Sequence, residues 1–337
     1  MNSLQRVAAA IHLRETDRVP VIAQVFGHAA ELAGVPLEDY VRDGATLARC
    51  QLQAWHRYRY DAVFSVMDVH VETEAAGSVL RYRRNQYPVI ERHALSPEAD
   101  WNGLAIPDPK RNGRMPEMLK ALAILKHEVG DEVLVAGCVL GPFTLAAQLL
   151  GLESTLYLAH DDPRRLEHLM DFATEVAIQF GQAQLQAGAH LPMVFDPAAS
   201  PAVIPPNFFR EFELPRLQRL FRELSEAGAV ANWLHIAGPV APILPYYSKA
   251  AVHIANFDYM VSAAEARSRL PGTCFNGNIK SLLFVEGSPM EVEAVAANLL
   301  RAFRDQRGFI LSSGCEIPPE ANAENVAALA NAPDGKG

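Results

Sequence analysis

Eight short apolar runs, spaced through 337 residues, constrain the fold of this chain more than any other feature. They fall at 19–26 (VPVIAQVF), 61–67 (DAVFSVM), 132–138 (EVLVAGC), 191–196 (LPMVFD), 229–235 (AVANWLH), 251–257 (AVHIANF), 273–277 (TCFNG) and 309–313 (FILSS). Most are nearly continuous rather than alternating, the pattern of strands covered on both faces. Between them, apolar residues recur at three- and four-residue spacing. The clearest such stretch is 162–188, where Asp162-Pro163 supplies a start signal and Leu166, Leu169, Met170, Ala173, Val176, Ala177 and Phe180 form one stripe. Segments 37–57, 114–129, 205–227, 239–249, 262–270, 288–306 and 322–332 predict further helices, and Gly228, Gly272 and Gly308 stand near or just past helix ends, where a left-handed cap is wanted.

Repeated strand-then-helix order implies a parallel sheet with right-handed crossovers, and eight units allow that sheet to close. An open doubly wound sheet is the competitor, but no glycine-rich dinucleotide fingerprint follows the first run. The expected fold is therefore α/β, a single (β/α)8 TIM barrel forming one domain over residues 1–337. One segment breaks the rhythm. Residues 78–96 hold two strand-like runs around Arg84-Asn85 and read as a small hairpin inserted after the second strand.

Composition narrows the partners. The formal charge is −9, and no block of Lys and Arg resembles the footprint of a nucleic-acid binder. No 18 apolar residues run together, and the first twenty residues read as an amphipathic helix rather than an export signal, so the expectation is a cytoplasmic protein with no membrane partner. Cys50, Cys138, Cys274 and Cys315 are scattered without a C-x-x-C, which argues for reduced thiols and against a closed structural zinc site.

In a barrel, side chains at the carboxyl ends of the strands share one mouth. Gln24, His28, His70 and Asn278 fall there as candidates to hydrogen-bond a substrate, with Cys138 and Glu316 nearby. Asp68 and Asp196 each end a run; they are either turn formers or a pair of catalytic carboxylates for proton handling. His70 and Glu74 lie four residues apart, but no zinc-protease signature surrounds them. His235, in WLHIAG, is either a core histidine or a catalytic imidazole facing the mouth. With Cys315 in SSGCE and Asp258 in NFDYM it would also make a three-ligand open metal site, able to bind a substrate thiol and turn it into a thiolate. The alternative for Asp258 is a helix cap.

Six phrases carry a family resemblance: GPFTLAAQLLG (141–151), DPRRLEHLMDFATE (162–175), GAHLPMVFDPAASPAVIPPNFFREFELPRL, HIAGP (235–239), FNGNIKSLLFVEGSP and GFILSSGCEIPPEANAENVAAL. In this order they span nearly the whole chain, which resembles the uroporphyrinogen decarboxylase superfamily, and within it most the corrinoid methyltransferases of the methylcobamide:coenzyme M type. The resemblance implies a barrel enzyme of one-carbon metabolism. Its cofactors would be a corrinoid (cobalamin) as methyl carrier and zinc; its partners would be a corrinoid carrier protein and a small methyl donor or acceptor, with a homodimer left open. It further implies zinc ligands from a His-x-Cys phrase and a final Cys, which here map to His235 and Cys315, while Ala237 replaces the middle cysteine. True decarboxylases of this superfamily hold their substrate's carboxylates with arginines after the first strand, where this chain has IAQVFGHAA (22–30) and none. A tetrapyrrole or small-acid decarboxylase is the alternative activity, and a non-catalytic ligand-binding barrel the further one.

Overall fold

A computed structural model describes residues 1–98, 101, 103–305 and 307–334. Seven strands form one parallel sheet: β1 (Ala62–Phe64), β4 (Leu134–Leu140), β5 (Leu191–Phe195), β6 (Trp233–His235), β7 (Ile254–Asn256), β8 (Cys274–Ile279) and β9 (Phe309–Ser313), paired in that order. Every residue of these strands is buried, as their unbroken apolar pattern required. The eighth place is filled by residues 19–26. Val21 bridges Leu311 and Val25 bridges Ile317, both parallel, while the Asp61 amide donates to the Val21 carbonyl at 2.7 Å on the other side. This segment therefore lies between β9 and β1 and closes the ring. It forms no continuous strand because Pro20 lacks a donor and the Val25 amide turns back to the Ala23 carbonyl.

The helices sit where the periodicity put them. The 162–188 pattern becomes Pro163–Gln186, capped by the Asp162 side chain on the Arg165 amide. Gly228, Gly272 and Gly308 all take positive φ. Three segments differ from expectation. The 37–57 pattern is two helices, Leu37–Tyr40 and Gly44–Tyr58, the second started by the Asp43 side chain accepting from the Thr46 amide. The 239–249 pattern yields only Leu244–Tyr247, because Pro239, Pro242 and Pro245 remove the amides a longer helix needs. The 205–227 pattern is split by a π-helical turn, Phe209–Glu213; Pro215 cannot donate to the Glu211 carbonyl, and the wider turn rotates Glu213 inward.

The inserted segment is the antiparallel hairpin β2 (Val79–Arg83) and β3 (Gln86–Arg92), with Arg83 opposite Gln86 across the two-residue turn. Inside the barrel, Phe64 packs edge-on against Phe26 at 5.1 Å and tilts against Trp233 at 6.1 Å, filling the interior below the mouth. At the opposite, amino-terminal face, the fully buried Asp61 accepts from Arg6 at 2.7 Å, Arg18 at 3.0 Å and the Val21 amide at 2.8 Å. That cluster ties the first segment to β1. Among the described residues, no helix is long and apolar enough to cross a membrane.

Candidate active site

A cavity of about 160 Å³ opens beyond the carboxyl ends of β1, β5, β6 and β9. Phe26, Val66, Val69, Phe195 and Pro197 give it apolar walls. Its polar lining consists of Asp68, His70, Tyr87, His235, Cys315 and Glu316, and Ala237 completes it. No lysine or arginine lines it among the described residues.

His235 is the last residue of β6, so strand alternation decides that its ring faces inward. It is 1% exposed, packs tilted against Phe195 with ring centres 4.3 Å apart, and has no hydrogen-bond partner at either ring nitrogen. Burial lowers its basicity to a pKa of about 3, so the imidazole is neutral. Cys315 lies two residues past β9, and burial pushes its thiol up to about 11. Both are neutral groups at an apolar closed end.

Asp68 is fixed from behind. Arg114 donates to its two oxygens at 2.5 and 3.2 Å and also to Glu74 at 2.6 Å, while the His70 amide donates to Asp68 at 2.8 Å. Burial would raise the Asp68 carboxyl, but the charge and hydrogen bonds of Arg114, with His70, outweigh it and hold the acid below its ordinary range. It is thus a buried anion. Nothing in the sequence around Arg114 marks it: it sits just before the Met115–Val129 helix, and only the fold brings it against Asp68.

Glu316 and Tyr87 meet across the mouth. The Tyr87 hydroxyl, delivered by the hairpin, lies 2.5 Å from Glu316 Oε1, and the Gly27 amide donates to both the hydroxyl and the carboxylate. A Cβ at position 27 would stand 2.6 Å from the Tyr87 oxygen, so any larger residue there would push Tyr87 off Glu316. Burial raises Glu316 to about 7, which makes it the lining group poised to exchange a proton at neutral pH. Sequence order hid Tyr87; its only signal was an aromatic in the hairpin.

Five predicted site residues do not reach the cavity. Gln24 spends its amide on the Ser313 carbonyl at 3.1 Å, tying the first segment to β9. His28 is bonded at both nitrogens, to the Pro319 carbonyl and the Tyr58 hydroxyl, and burial lowers its pKa. Asn278 donates to the carbonyls of Asp258 and Val261 and so shapes the loop after β7. Asp258 accepts from the amides of Gly238 at 2.9 Å and Met260 at 3.3 Å, while the helix after it, Ala263–Arg269, is capped by Ser262, so Asp258 is neither a ligand nor the expected cap.

Asp196 is the fifth. Its carboxylate turns away from the mouth onto Gly141, where a Cβ would lie 2.2 Å from its Cγ, and it accepts from the Thr144 amide and hydroxyl. Its partner is Glu213, brought in by the π-helical turn. Burial raises both acids, Glu213 further because the Asp196 charge adds to it.

The predicted three-ligand metal set is therefore not assembled. His235 and Cys315 share the cavity, Asp258 is held by backbone amides, and among the described residues no three His, Cys, Asp or Glu side chains are grouped to hold an ion. The donor set present does not fit a resident zinc.

Comparison with known proteins places the chain. A family model described as uroporphyrinogen decarboxylase (URO-D) matches residues 2–334. The methylcobamide:CoM methyltransferase MtaA of Methanosarcina barkeri is 27% identical, over 98% of this chain and 96% of its own length. A uroporphyrinogen decarboxylase of an Anaeromyxobacter species is 25% identical over 97% of both chains. Among solved structures, a methyltransferase from Methanosarcina mazei superposes with a TM-score of 0.90 at 27% identity, covering 99% of this chain and 98% of that one.

Proposed function

The chain belongs to the uroporphyrinogen decarboxylase family of enzymes, and from that premise we propose that it is a corrinoid-dependent methyltransferase. In this reading residues 1–337 act as one domain that moves a methyl group between a corrinoid, free or borne on a separate carrier protein, and a small thiol, folate-like or methoxy compound. The observation that carries the reading is the cavity: small, apolar-walled, with an unpartnered imidazole and a thiol inside and, among the described residues, no cation in its lining. At about 160 Å³ it is below the roughly 300–1,000 Å³ usual for drug-sized ligands. An octa-acidic tetrapyrrole needs more room and an arginine clamp. The relatives named methyltransferases favour the same choice.

The corrinoid, as co-substrate, supplies or receives the methyl group. Everything else falls to the chain's own residues. Phe26, Val66 and Phe195 exclude water, so a displacement at the methyl carbon is not diverted to hydrolysis. His235 offers a neutral nitrogen to orient the small substrate. Asp68, kept anionic by Arg114, anchors a donor group on it. A heteroatom that gains a methyl must lose a proton, and one that loses a methyl must gain one; Glu316, hydrogen-bonded to Tyr87, exchanges it at the carboxylate oxygens. This replaces the proton role expected of Asp196, which faces Glu213 instead. No step is assigned to zinc.

The test is incubation of purified protein with methylcobalamin and a panel of thiol, folate-like and methoxy compounds, following the cobalamin spectrum. Acceptor-dependent demethylation, or donor-dependent methylation of the reduced corrinoid, is expected. Conversion of uroporphyrinogen to its tetracarboxylate product, with no methyl transfer to or from any compound, would replace this reading by the decarboxylase one.

A further inference from the structure

The hairpin that delivers Tyr87 has a second face. Residues 78–96 hold four arginines against one glutamate, in a chain whose net charge is −9. Arg81, Arg83, Arg84 and Arg92 are all exposed, and among the described residues none has a carboxylate within ion-pair distance; Arg83 touches only Gln86. Elsewhere Arg6, Arg57, Arg114, Arg216 and Arg219 each have an acidic partner. Four unpaired guanidinium groups on one short hairpin are a local exception to the charge of the whole molecule.

The register puts three of them on one side. Val79 pairs with Arg92, Arg81 with Val89, and Arg83 with Gln86, and each of these six residues is exposed. The opposite side of the hairpin is spent on anchoring. Tyr82 donates to Glu74 at 2.6 Å under the Arg42 guanidinium, and Tyr87 reaches Glu316. The turn is held by the Glu38 amide on the Arg84 carbonyl at 3.0 Å, and the far end by His93 on the Gln148 carbonyl at 2.7 Å. The arginine face is thus presented from a fixed platform, one strand layer away from the cavity.

We infer that this outer face of the hairpin is the docking surface for an acidic protein face, that of the partner which carries the corrinoid to the mouth, an inference that rests on the methyl-transfer reading above. Three arginines interleaved with two exposed valines have the composition of a protein interface, where arginine is enriched and apolar contacts accompany it. Charge complementarity selects an acidic partner and orients its approach, which a net-negative enzyme would otherwise repel. A second copy of this chain is the poorer occupant. Two-fold pairing through this face would set arginine against arginine.

The experiment compares wild type with R81E/R83E/R92E and R81Q/R83Q/R92Q, using two probes: free methylcobalamin, and a purified acidic carrier domain loaded with methylcorrinoid. None of the three residues lines the cavity, so turnover of free methylcobalamin should be unchanged, and circular dichroism and Tm verify folding. Association with the labelled carrier, followed by fluorescence anisotropy across salt concentrations, should weaken by about tenfold or more in the charge-reversed variant, with the glutamine variant intermediate and less salt-dependent. Equal carrier binding by all three proteins overturns the inference. So does a wild type that turns over free methylcobalamin but does not bind the carrier, or arginine-dependent self-association in its place. Arginine-dependent carrier binding without methyl transfer from either probe would keep the docking face and overturn only the methyltransferase reading.

Discussion

Replacing Arg114 by leucine should destabilise the folded enzyme by about 3–5 kcal/mol at neutral pH, the usual consequence of leaving one partner of a buried ion pair behind. The guanidinium makes two bonds to Asp68, one to Glu74 at 2.6 Å and one to the Val41 carbonyl at 2.8 Å. Without it Glu74 keeps the Tyr82 hydroxyl, but Asp68, 8% exposed, is left with the His70 amide as its remaining donor. The pH dependence identifies the cause. In the wild type the lowered Asp68 pKa contributes stability at pH values above the ordinary carboxylate range, lost as pH falls through the folded value. In the variant burial acts unopposed and raises that pKa, so the deficit should be largest near pH 7.5 and shrink by pH 5 as the carboxyl takes up a proton. Calorimetry at both pH values reads this as a loss of several degrees in Tm, since about 2–4 °C per kcal/mol holds for domains of 150–250 residues and less for a longer chain. Asp68→Asn combined with Arg114→Leu should regain a large part of the loss. A deficit below about 1 kcal/mol, or one equal at both pH values, would refute the account of Asp68 as a charge held by Arg114.

Ala237 lines the cavity with His235 and Cys315, so Ala237→Cys should create a zinc-binding protein, with affinity rising with pH as the thiols lose protons; metal analysis and chelator titration of wild type and variant decide it, and a variant as metal-free as its parent would show that the cavity cannot gather three donors. Glu316→Gln should remove a limb near pH 7 from the pH–rate profile while substrate binding persists; a limb that survives assigns the proton elsewhere. Because Glu72 and Glu316 are both raised by burial from 4.5 to about 7, folding stability attributable to them should fall as pH rises from about 4.5 to 7, and Glu72→Gln should flatten that slope in urea melts. Gly141→Ala should cost about 1–3 kcal/mol through contact with the Asp196 carboxylate, and Asp196→Ala in the same chain should relieve the clash; an unchanged Tm for the single variant would mean the carboxylate moves aside freely.

The barrel was legible in the residues because its cause is local. Strands buried on both faces must be apolar throughout, helices packed on one side must repeat at three and four, and 78–96 had to leave the rhythm because its alternating polar residues suit neither. Gly228, Gly272 and Gly308 marked their turns for the same reason: only backbone conformation was at stake. The family phrases, too, lie in sequence order and needed no coordinates.

Which polar side chain faces the cavity was decided only by the tertiary structure. His235 and His28 are both histidines near strand ends, yet one is left without a partner and the other is bonded at both nitrogens, by Tyr58, 30 residues along the chain, and by Pro319, 291 residues along it. Asp68 and Asp196 follow the same kind of apolar run, and their opposite fates come from Arg114 and Glu213, neither a neighbour in sequence. Asp258 looked like a ligand until the Gly238 amide took its oxygen. Periodicity encodes which way a residue points from its own strand or helix; whether its polar atoms are free depends on what a distant segment brings against them, and that partner appears only when the ring is closed.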